Sequence, residues 1–201
     1  QRFTADASHE LRSPLSAIQL RLQVLQRKYQ DQPQFTQELQ LIQQDVSRGT
    51  QVLENLLLLA RLDPTETADL PLSSLNLSQL VVDVWNNLEI FKQQKQIQLV
   101  SNLEPCQVKV NPELMTVCLR NLLDNAIRYS QPHGRVYIQV TAEQQQVYLC
   151  IENEGEGVDS DTISRLGVRV YRALGSKTTG SGLGLSICKK IVQPHHAGMD
   201  F

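Results

Sequence analysis

A histidine followed at once by an acid is the first place in this chain where chemistry is legible. Imidazole titrates near neutrality and is nucleophilic when unprotonated, and an adjacent carboxylate can hold hydrogen on one ring nitrogen and leave the other free. His9 and Glu10 make such a pair within Ser8-His9-Glu10-Leu11-Arg12-Ser13-Pro14-Leu15. Three further stretches have a spacing suited to binding. Asn121, Asn125 and Arg128 recur four and three apart, so on a helix they share one face. Neutral carboxamides offer oxygen to a hard cation without adding negative charge beside phosphates, and a guanidinium can meet a phosphate oxygen. Ile151-Glu152-Asn153-Glu154-Gly155-Glu156-Gly157-Val158 closes an alternating run with two glycines, Gly155 and Gly157, which permit a tight turn and close approach of a flat ligand. Finally, Thr178-Thr179-Gly180-Ser181-Gly182-Leu183-Gly184 enters an apolar helical pattern. Alternate glycines there let successive N–H groups converge on an anion at the helix's positive end. The loop is neither a Walker sequence nor a dinucleotide fingerprint, since it lacks Gly-Lys-Ser/Thr and the strand–turn–helix context.

The elements that must position these groups follow from periodicity. Leu11, Leu15, Ile18, Leu22 and Leu25 alternate four and three apart, the seam of a helix packed on helices, running to about Tyr29. Extended backwards, the seam passes through Ser8 and Thr4, which places His9 beside it and exposed at its edge. Asp31-Gln32-Pro33 breaks the pattern. A second helical repeat follows at Phe35, Leu39, Ile42, Val46, Gly49, Leu53, Leu56 and Ala60. Two such helices form an antiparallel hairpin, and the leftover apolar surface predicts that two hairpins associate as a dimeric four-helix bundle. Pro14 removes a backbone donor and bends the helix after His9, freeing the Glu10 carbonyl; Gly49, opposite in the hairpin, either accommodates the bend or is a weak spot.

Asp63-Pro64-Thr65-Glu66 to Leu72 reads as a linker, giving a hairpin domain over 1–63, a linker over 64–74 and a second domain over 75–201. In that second domain, Leu75 to Leu77 is a short strand, with Ser78 capping a helix to about Gln94. Strands are expected at Ile97–Leu103 and Gln107–Val110. Asn111-Pro112 opens a helix to about Tyr129. Arg135–Thr141 and Gln146–Ile151 form a hairpin, and a last helix runs from near Gly182 to before Pro194. The fold class is therefore α plus α/β: a helical hairpin, then an α/β sandwich with helices on one face of a mainly antiparallel sheet. The 201 residues carry a net charge of −2, which points to neither a nucleic-acid nor a membrane surface. Cys106, Cys118, Cys150 and Cys188 form no C-x-x-C pair, and the last three sit among apolar residues, as reduced, packed thiols of a cytosolic protein would. No stretch is long and apolar enough to span a bilayer.

Taken together and in order, the motifs give the chain a close resemblance to the transmitter core of a two-component sensor histidine kinase. Ser8 to Leu15 resembles the family's H box, Asn121-Leu122-Leu123-Asp124-Asn125-Ala126 its N box, and Asn153 to Gly157 and Gly180 to Gly184 its two glycine boxes. The resemblance implies a phosphotransfer hairpin followed by an ATP-binding domain of the gyrase–Hsp90–kinase type. It implies His9 as phosphoacceptor, Glu10 as general base and Ser13 as positioner of a water in a reverse phosphatase reaction. It implies Asn125 as the Mg²⁺ ligand, Asn121 and Arg128 near the phosphates, Tyr129 along the adenine, and Asn153, Gly155 and Gly157 at the base. Gly180, Gly182 and Gly184 would line the triphosphate, under a lid spanning 159–179 that carries Arg169 and Arg172. Further implied are a homodimer, a response-regulator receiver domain as partner, and a cytoplasmic core attached to the membrane only through an N-terminal region that the sequence given does not contain. Family members also continue with final strands past the last helix.

The chain departs from the family pattern in places. Asn153 stands where most members carry an aspartate that accepts from the adenine amino group, and a neutral acceptor makes a weaker bond. Gly167 and Val170 stand where lid phenylalanines are usual. These departures leave a degenerate kinase serving as a docking or phosphatase module as the alternative. A conformational ATPase of the same superfamily is disfavoured, having no use for a His-Glu pair on a bundle helix.

Overall fold

A computed structural model describes residues 2–61, 71–88, 92, 95–165 and 183–201. The chain divides into two compact units, Gln1–Glu66 and Thr67–Phe201.

The first unit is a helical hairpin of α1 (Arg2–Lys28) and α2 (Pro33–Arg61). α1 passes through Pro14 without interruption. The turn is closed by local chemistry. Gln32 N–H donates to the Tyr29 carbonyl at 2.9 Å, the Thr36 hydroxyl donates to the same carbonyl at 3.1 Å, and the Tyr29 and Phe35 rings stack with centroids 5.5 Å apart. Pro33 at the first helical position gives up a donor that would have no partner there. Across the hairpin, Gln26 Nε2 donates to Gln43 Oε1 at 2.7 Å. A Cβ placed on Gly49 would meet nothing within 4 Å, so within the hairpin this glycine answers to no steric demand.

The second unit pairs β1 (Ser73–Asn76) antiparallel with β3 (Gln107–Val110), and builds a three-stranded sheet in the order β2 (Gln98–Leu103), β4 (Arg135–Glu143), β5 (Gln146–Asn153). β2 runs parallel to β4 and β4 antiparallel to β5, so the sheet is mixed. The crossover between the parallel strands contains α4 (Pro112–Tyr129), and α3 (Leu77–Asn86) precedes β2. Among the described residues, two further short helices follow: α5 (Ser160–Arg165) and α6 (Gly184–Val192), which packs on α4 and runs into a 3₁₀ turn at Gln193–His195. Alternation places Val136, Ile138 and Val140 of β4 inward against Leu119, Leu123 and Ile127 of α4 and Val81 and Trp85 of α3. One layer of helices thus covers one sheet, as expected.

Some local expectations are corrected. The cap of α3 is Asn76, whose side chain accepts from Gln79 N–H at 3.2 Å. Ser78 is one residue inside the helix and buried, with its hydroxyl donating to the Glu104 carbonyl. α3 ends at Asn86, where the N–H of Asn87 bonds back to the Asp83 carbonyl, well short of Gln94. β1 begins at Ser73, two residues before the expected strand and inside the stretch read as linker. All four cysteines are free; Cys106, Cys118 and Cys188 are buried, but Cys150 is exposed because it lies on the outward alternation of β5. The hydrogen bond with its neighbour Cys118, and then burial, hold the Cys188 thiol far above the usual thiol range.

By contrast, α4 starts and stops as the sequence indicates. Asn111 Oδ1 accepts from Leu114 N–H at 3.0 Å and Pro112 occupies the first turn. Asn111 is also a junction: its Nδ2 donates to the Pro71 carbonyl at 3.1 Å, and its backbone N–H donates to His195 Nε2 at 2.9 Å. His195 Nδ1 lies 2.6 Å from the Ile191 carbonyl, so that nitrogen carries the hydrogen and both ring nitrogens are engaged within the fold. His196 follows in a left-handed conformation (φ 53°) that closes the end of α6.

The sheet's edge is locked by Glu154, immediately after β5. Its carboxylate accepts from Arg135 N–H (3.0 Å), Arg135 Nε (2.9 Å) and the Tyr137 hydroxyl (2.9 Å). Its own N–H donates to the Arg135 carbonyl at 3.0 Å, and its carbonyl accepts from Gln131 N–H at 2.8 Å. The Tyr137 hydrogen bond, followed by the Arg135 contacts, holds this carboxyl below its ordinary range, and the same bond raises the Tyr137 phenol.

Two outcomes are expected. The β4–β5 turn is a two-residue loop in which Gln144 (φ 47°) and Gln145 (φ 69°) are both left-handed, the geometry that favours Asn-Gly. Gln145→Gly should stabilise the second unit by about 1 kcal/mol in urea denaturation, because a left-handed backbone costs about that much for a residue with a Cβ. For Glu154, a depressed carboxyl adds stability above its unfolded-state value that is lost as pH falls through the folded-state value, while a raised phenol loses its contribution as pH rises past the ordinary tyrosine range. The stability difference between the parent chain and Glu154→Gln should therefore be widest near neutrality and shrink toward acid and strong alkali; a pH-independent difference in denaturation midpoints would contradict the network.

Candidate functional site

The described part of the site is built on the C-terminal half of α4 and the end of β5. Asn121, Asn125 and Arg128 lie along one flank of α4 and are each partly buried, as their spacing requires. Asn121 Nδ2 is committed to the Val117 carbonyl at 2.9 Å, which leaves its side-chain oxygen available. That oxygen lies 3.0 Å from where a Cβ on Gly184 would stand, so a side chain on the first residue of α6 would press on the asparagine and shift it by a few tenths of an ångström. Leu183, just before it, caps α6 without a side-chain hydrogen bond, and the amides that open this helix are thus not covered by their own cap. The Asn125 carboxamide makes no hydrogen bond among the described residues. A half-buried carboxamide oxygen without a partner is what a hard cation requires, and Asn125 therefore fits a Mg²⁺ ligand.

Arg128 is held along its own helix by Asp124, Nη2 to Oδ2 at 2.7 Å, with both side chains about one quarter exposed. An (i, i+4) bridge at that exposure is worth well under ~1 kcal/mol, so it orients the guanidinium without preventing exchange for a stronger anion. The Tyr129 ring is 44% exposed, flanking the Asn153–Gly157 corner through its backbone. A Cβ on Gly155 would overlap the Tyr129 carbonyl oxygen and come within 2.9 Å of Asn153 Nδ2. Gly155 is therefore demanded by the close packing of this corner on the end of α4. Gly157 is demanded by conformation instead, at φ 72° with nothing near its missing side chain.

One contributor was not legible in the sequence. Lys95 Nζ donates to the carbonyls of Ile127, Arg128 and Ser130, at 3.3 Å and 2.8 Å for the first and last. These are unsatisfied acceptors at the negative end of α4, so the ammonium caps the helix that carries the asparagines. Burial, then the nearby Arg128, lowers the Lys95 pKa. The Lys95 carbonyl in turn accepts from His133 N–H at 2.8 Å, which gives His133 a backbone role in the α4–β4 loop. A lysine 32 to 35 residues before the carbonyls it caps leaves no local pattern.

His9 and Glu10 lie in α1, but their side chains fall outside the described residues; Ser13, one turn on, is exposed. Arg169, Arg172, Gly180 and Gly182 also fall outside the described residues, as does the part of the expected lid from 166 onward. Among the described residues no group of three His, Cys, Asp or Glu side chains is arranged to hold a metal, and no helix is long and apolar enough to cross a membrane.

Comparisons with known proteins bear on the same two units. Residues 1–65 match the His Kinase A (phospho-acceptor) domain, and residues 110–200 match the histidine kinase-, DNA gyrase B- and HSP90-like ATPase family. The chain is 36% identical to the sensor protein QseC of Escherichia coli K12 over 100% of its own length and 44% of the relative's. It is 31% identical to the phosphate regulon sensor protein PhoR of Pseudomonas aeruginosa, over 98% of this chain and 46% of that one. It thus spans less than half the length of these relatives. The Mycobacterial sensor histidine kinase MprB superposes with a TM-score of 0.56 at 25% identity, over 63% of this chain and 81% of that one. The Acinetobacter baumannii histidine kinase AdeS shares the fold at a TM-score of 0.62 over 92% of this chain and 86% of that one, at 23% identity. With a phosphoacceptor-type hairpin and a kinase-type ATPase unit in the family order, the chain belongs to the transmitter cores of two-component sensor histidine kinases.

Proposed function

We propose that this chain is an ATP-dependent autokinase that phosphorylates His9 and passes the phosphoryl group to an aspartate of a response-regulator receiver domain, with residues 1–63 as the phosphotransfer hairpin, 64–74 as linker and 75–201 as the ATP-binding domain. The observation that carries the reading is Asn125: an unpartnered, half-buried carboxamide one turn from Asn121, on a helix whose end is packed against a Gly-x-Gly corner. Asn125 would hold Mg²⁺, and the bound ion would offset charge on the triphosphate. Asn121 and Arg128 serve the phosphates, Tyr129 and Asn153 with Gly155 and Gly157 the base, and Gly180, Gly182 and Gly184 the triphosphate. Arg169 and Arg172 reach phosphate from the lid.

The protein's own chemistry is positional. One nitrogen of His9 attacks the γ-phosphorus in line, an N–P bond forms, and the bond to the β-phosphate oxygen breaks to release ADP. Glu10 accepts hydrogen from the other ring nitrogen, keeping the attacking one unprotonated and stabilising the imidazolium that forms. Ser13, one turn past His9, would direct water onto a phosphorylated regulator in the reverse reaction.

Partners follow from what the hairpin leaves uncovered. On the seams of α1 and α2, Ile18 (43%), Leu25, Phe35 and Ile42 (47%) remain exposed, which a second hairpin in a four-helix bundle would bury. Leu20 (63%) and Val24 (58%) are exposed on another flank of α1, one helical face with Ser13, and provide an apolar seat for the receiver domain. Attachment to a membrane would come from parts of the protein outside this chain, with this core in the cytoplasm.

Incubation with γ-labelled ATP and Mg²⁺ should give acid-labile, alkali-stable label that is absent in His9→Gln. Label surviving that substitution would refute His9 as acceptor. Asn125→Ala by itself should abolish labelling, and recovery of label on mixing it with His9→Gln would establish transfer between protomers.

A further inference from the structure

The corner that follows β5 carries a side chain with more recognition capacity than a single hydrogen bond to adenine uses. Asn153 pairs with Val136 in the sheet, and its successor Glu154 is bound to Arg135 through both backbone and side chain. Gly155 then packs directly on the Tyr129 carbonyl. The backbone on either side of Asn153 is therefore held, and only its side-chain torsions remain free. The carboxamide is exposed and makes no hydrogen bond among the described residues. The absent side chain of Gly155 keeps open the space beside its nitrogen, and the exposed Tyr129 ring belongs to the same corner.

A carboxamide presents one acceptor and one donor group, and a half-turn about its terminal torsion exchanges them. Adenine offers an amino donor at position 6 beside the N1 acceptor, and guanine offers the inverse, an oxygen acceptor beside an N1–H donor. One orientation of Asn153 matches the first edge and the flipped orientation matches the second. A carboxylate has acceptors only: it matches the adenine amino group and repels the guanine oxygen.

We propose that Asn153 relaxes base selection, so that this chain takes guanosine as well as adenosine triphosphate. The proposal rests on the nucleotide-site reading given above and concerns which purine that site admits. The decisive measurement is calorimetric binding of non-hydrolysable ATP and GTP analogues, each with Mg²⁺, to the parent chain, Asn153→Asp and Asn153→Ala. In the parent the two dissociation constants should lie within about tenfold of each other. In Asn153→Asp the ratio should widen at least about tenfold in favour of ATP, since a site that must face a like group rejects the wrong ligand strongly. Asn153→Ala should weaken both nucleotides alike. A parent ratio beyond tenfold, or an Asn153→Asp ratio equal to the parent's, would overturn the proposal and leave the kinase reading standing. Failure of either nucleotide to bind any of the three proteins would overturn the nucleotide site itself, and the proposal with it.

Discussion

Helix α4 ends with carbonyl groups that have no partner within the helix, and the α/β unit is organised around how they are satisfied. Lys95 brings one ammonium to three carbonyls at that end, those of Ile127, Arg128 and Ser130. From the opposite side Glu154 binds the loop that follows, through the Gln131 N–H, and Gly155 packs against the Tyr129 carbonyl. The end of a helix would ordinarily fray, yet here it is pinned between a segment preceding β2 and the corner after β5. Asn121, Asn125, Arg128 and Tyr129 all lie on this pinned half of the helix. The side chains on this half of the helix are therefore fixed in place before any ligand arrives.

The other end of α4 is fixed by equally polar means. Asn111 caps the helix with its oxygen, reaches Pro71 with its nitrogen and binds His195 through its backbone, so one residue ties the entry of the unit, its central helix and the turn after α6. Between the two ends the helix is held by burial: Leu119 and Leu123 are fully enclosed against β4. The division of labour is physical. Apolar contacts hold α4 on the sheet without specifying its position along the axis, because they are non-directional, and the hydrogen-bonded ends set that position.

The hairpin is organised differently. Its turn is closed by local bonds and a stacked Tyr29–Phe35 pair, but much of its apolar seam remains exposed, in contrast to the enclosed core of the second unit.

Periodicity and cap chemistry settled much of this architecture from the sequence alone. The two hairpin helices, the span of α4 from Asn111-Pro112 to Tyr129, the β4–β5 hairpin and the shared flank of Asn121 and Asn125 all follow from rules acting over a few residues. Such rules failed where two local partners competed. Asn76 and Ser78 are both good caps, and only the Glu104 carbonyl, twenty-six residues away, decided that Ser78 turns inward. Tertiary structure alone decided the parallel pairing of β2 with β4, the capping of α4 by Lys95, the exposure of Cys150 and the reason Gly155 cannot carry a side chain. Each depends on contacts between segments far apart in the chain. Local patterning is written in residue order, whereas a carbonyl's distant donor or a glycine's distant neighbour exists only once the chain has closed on itself.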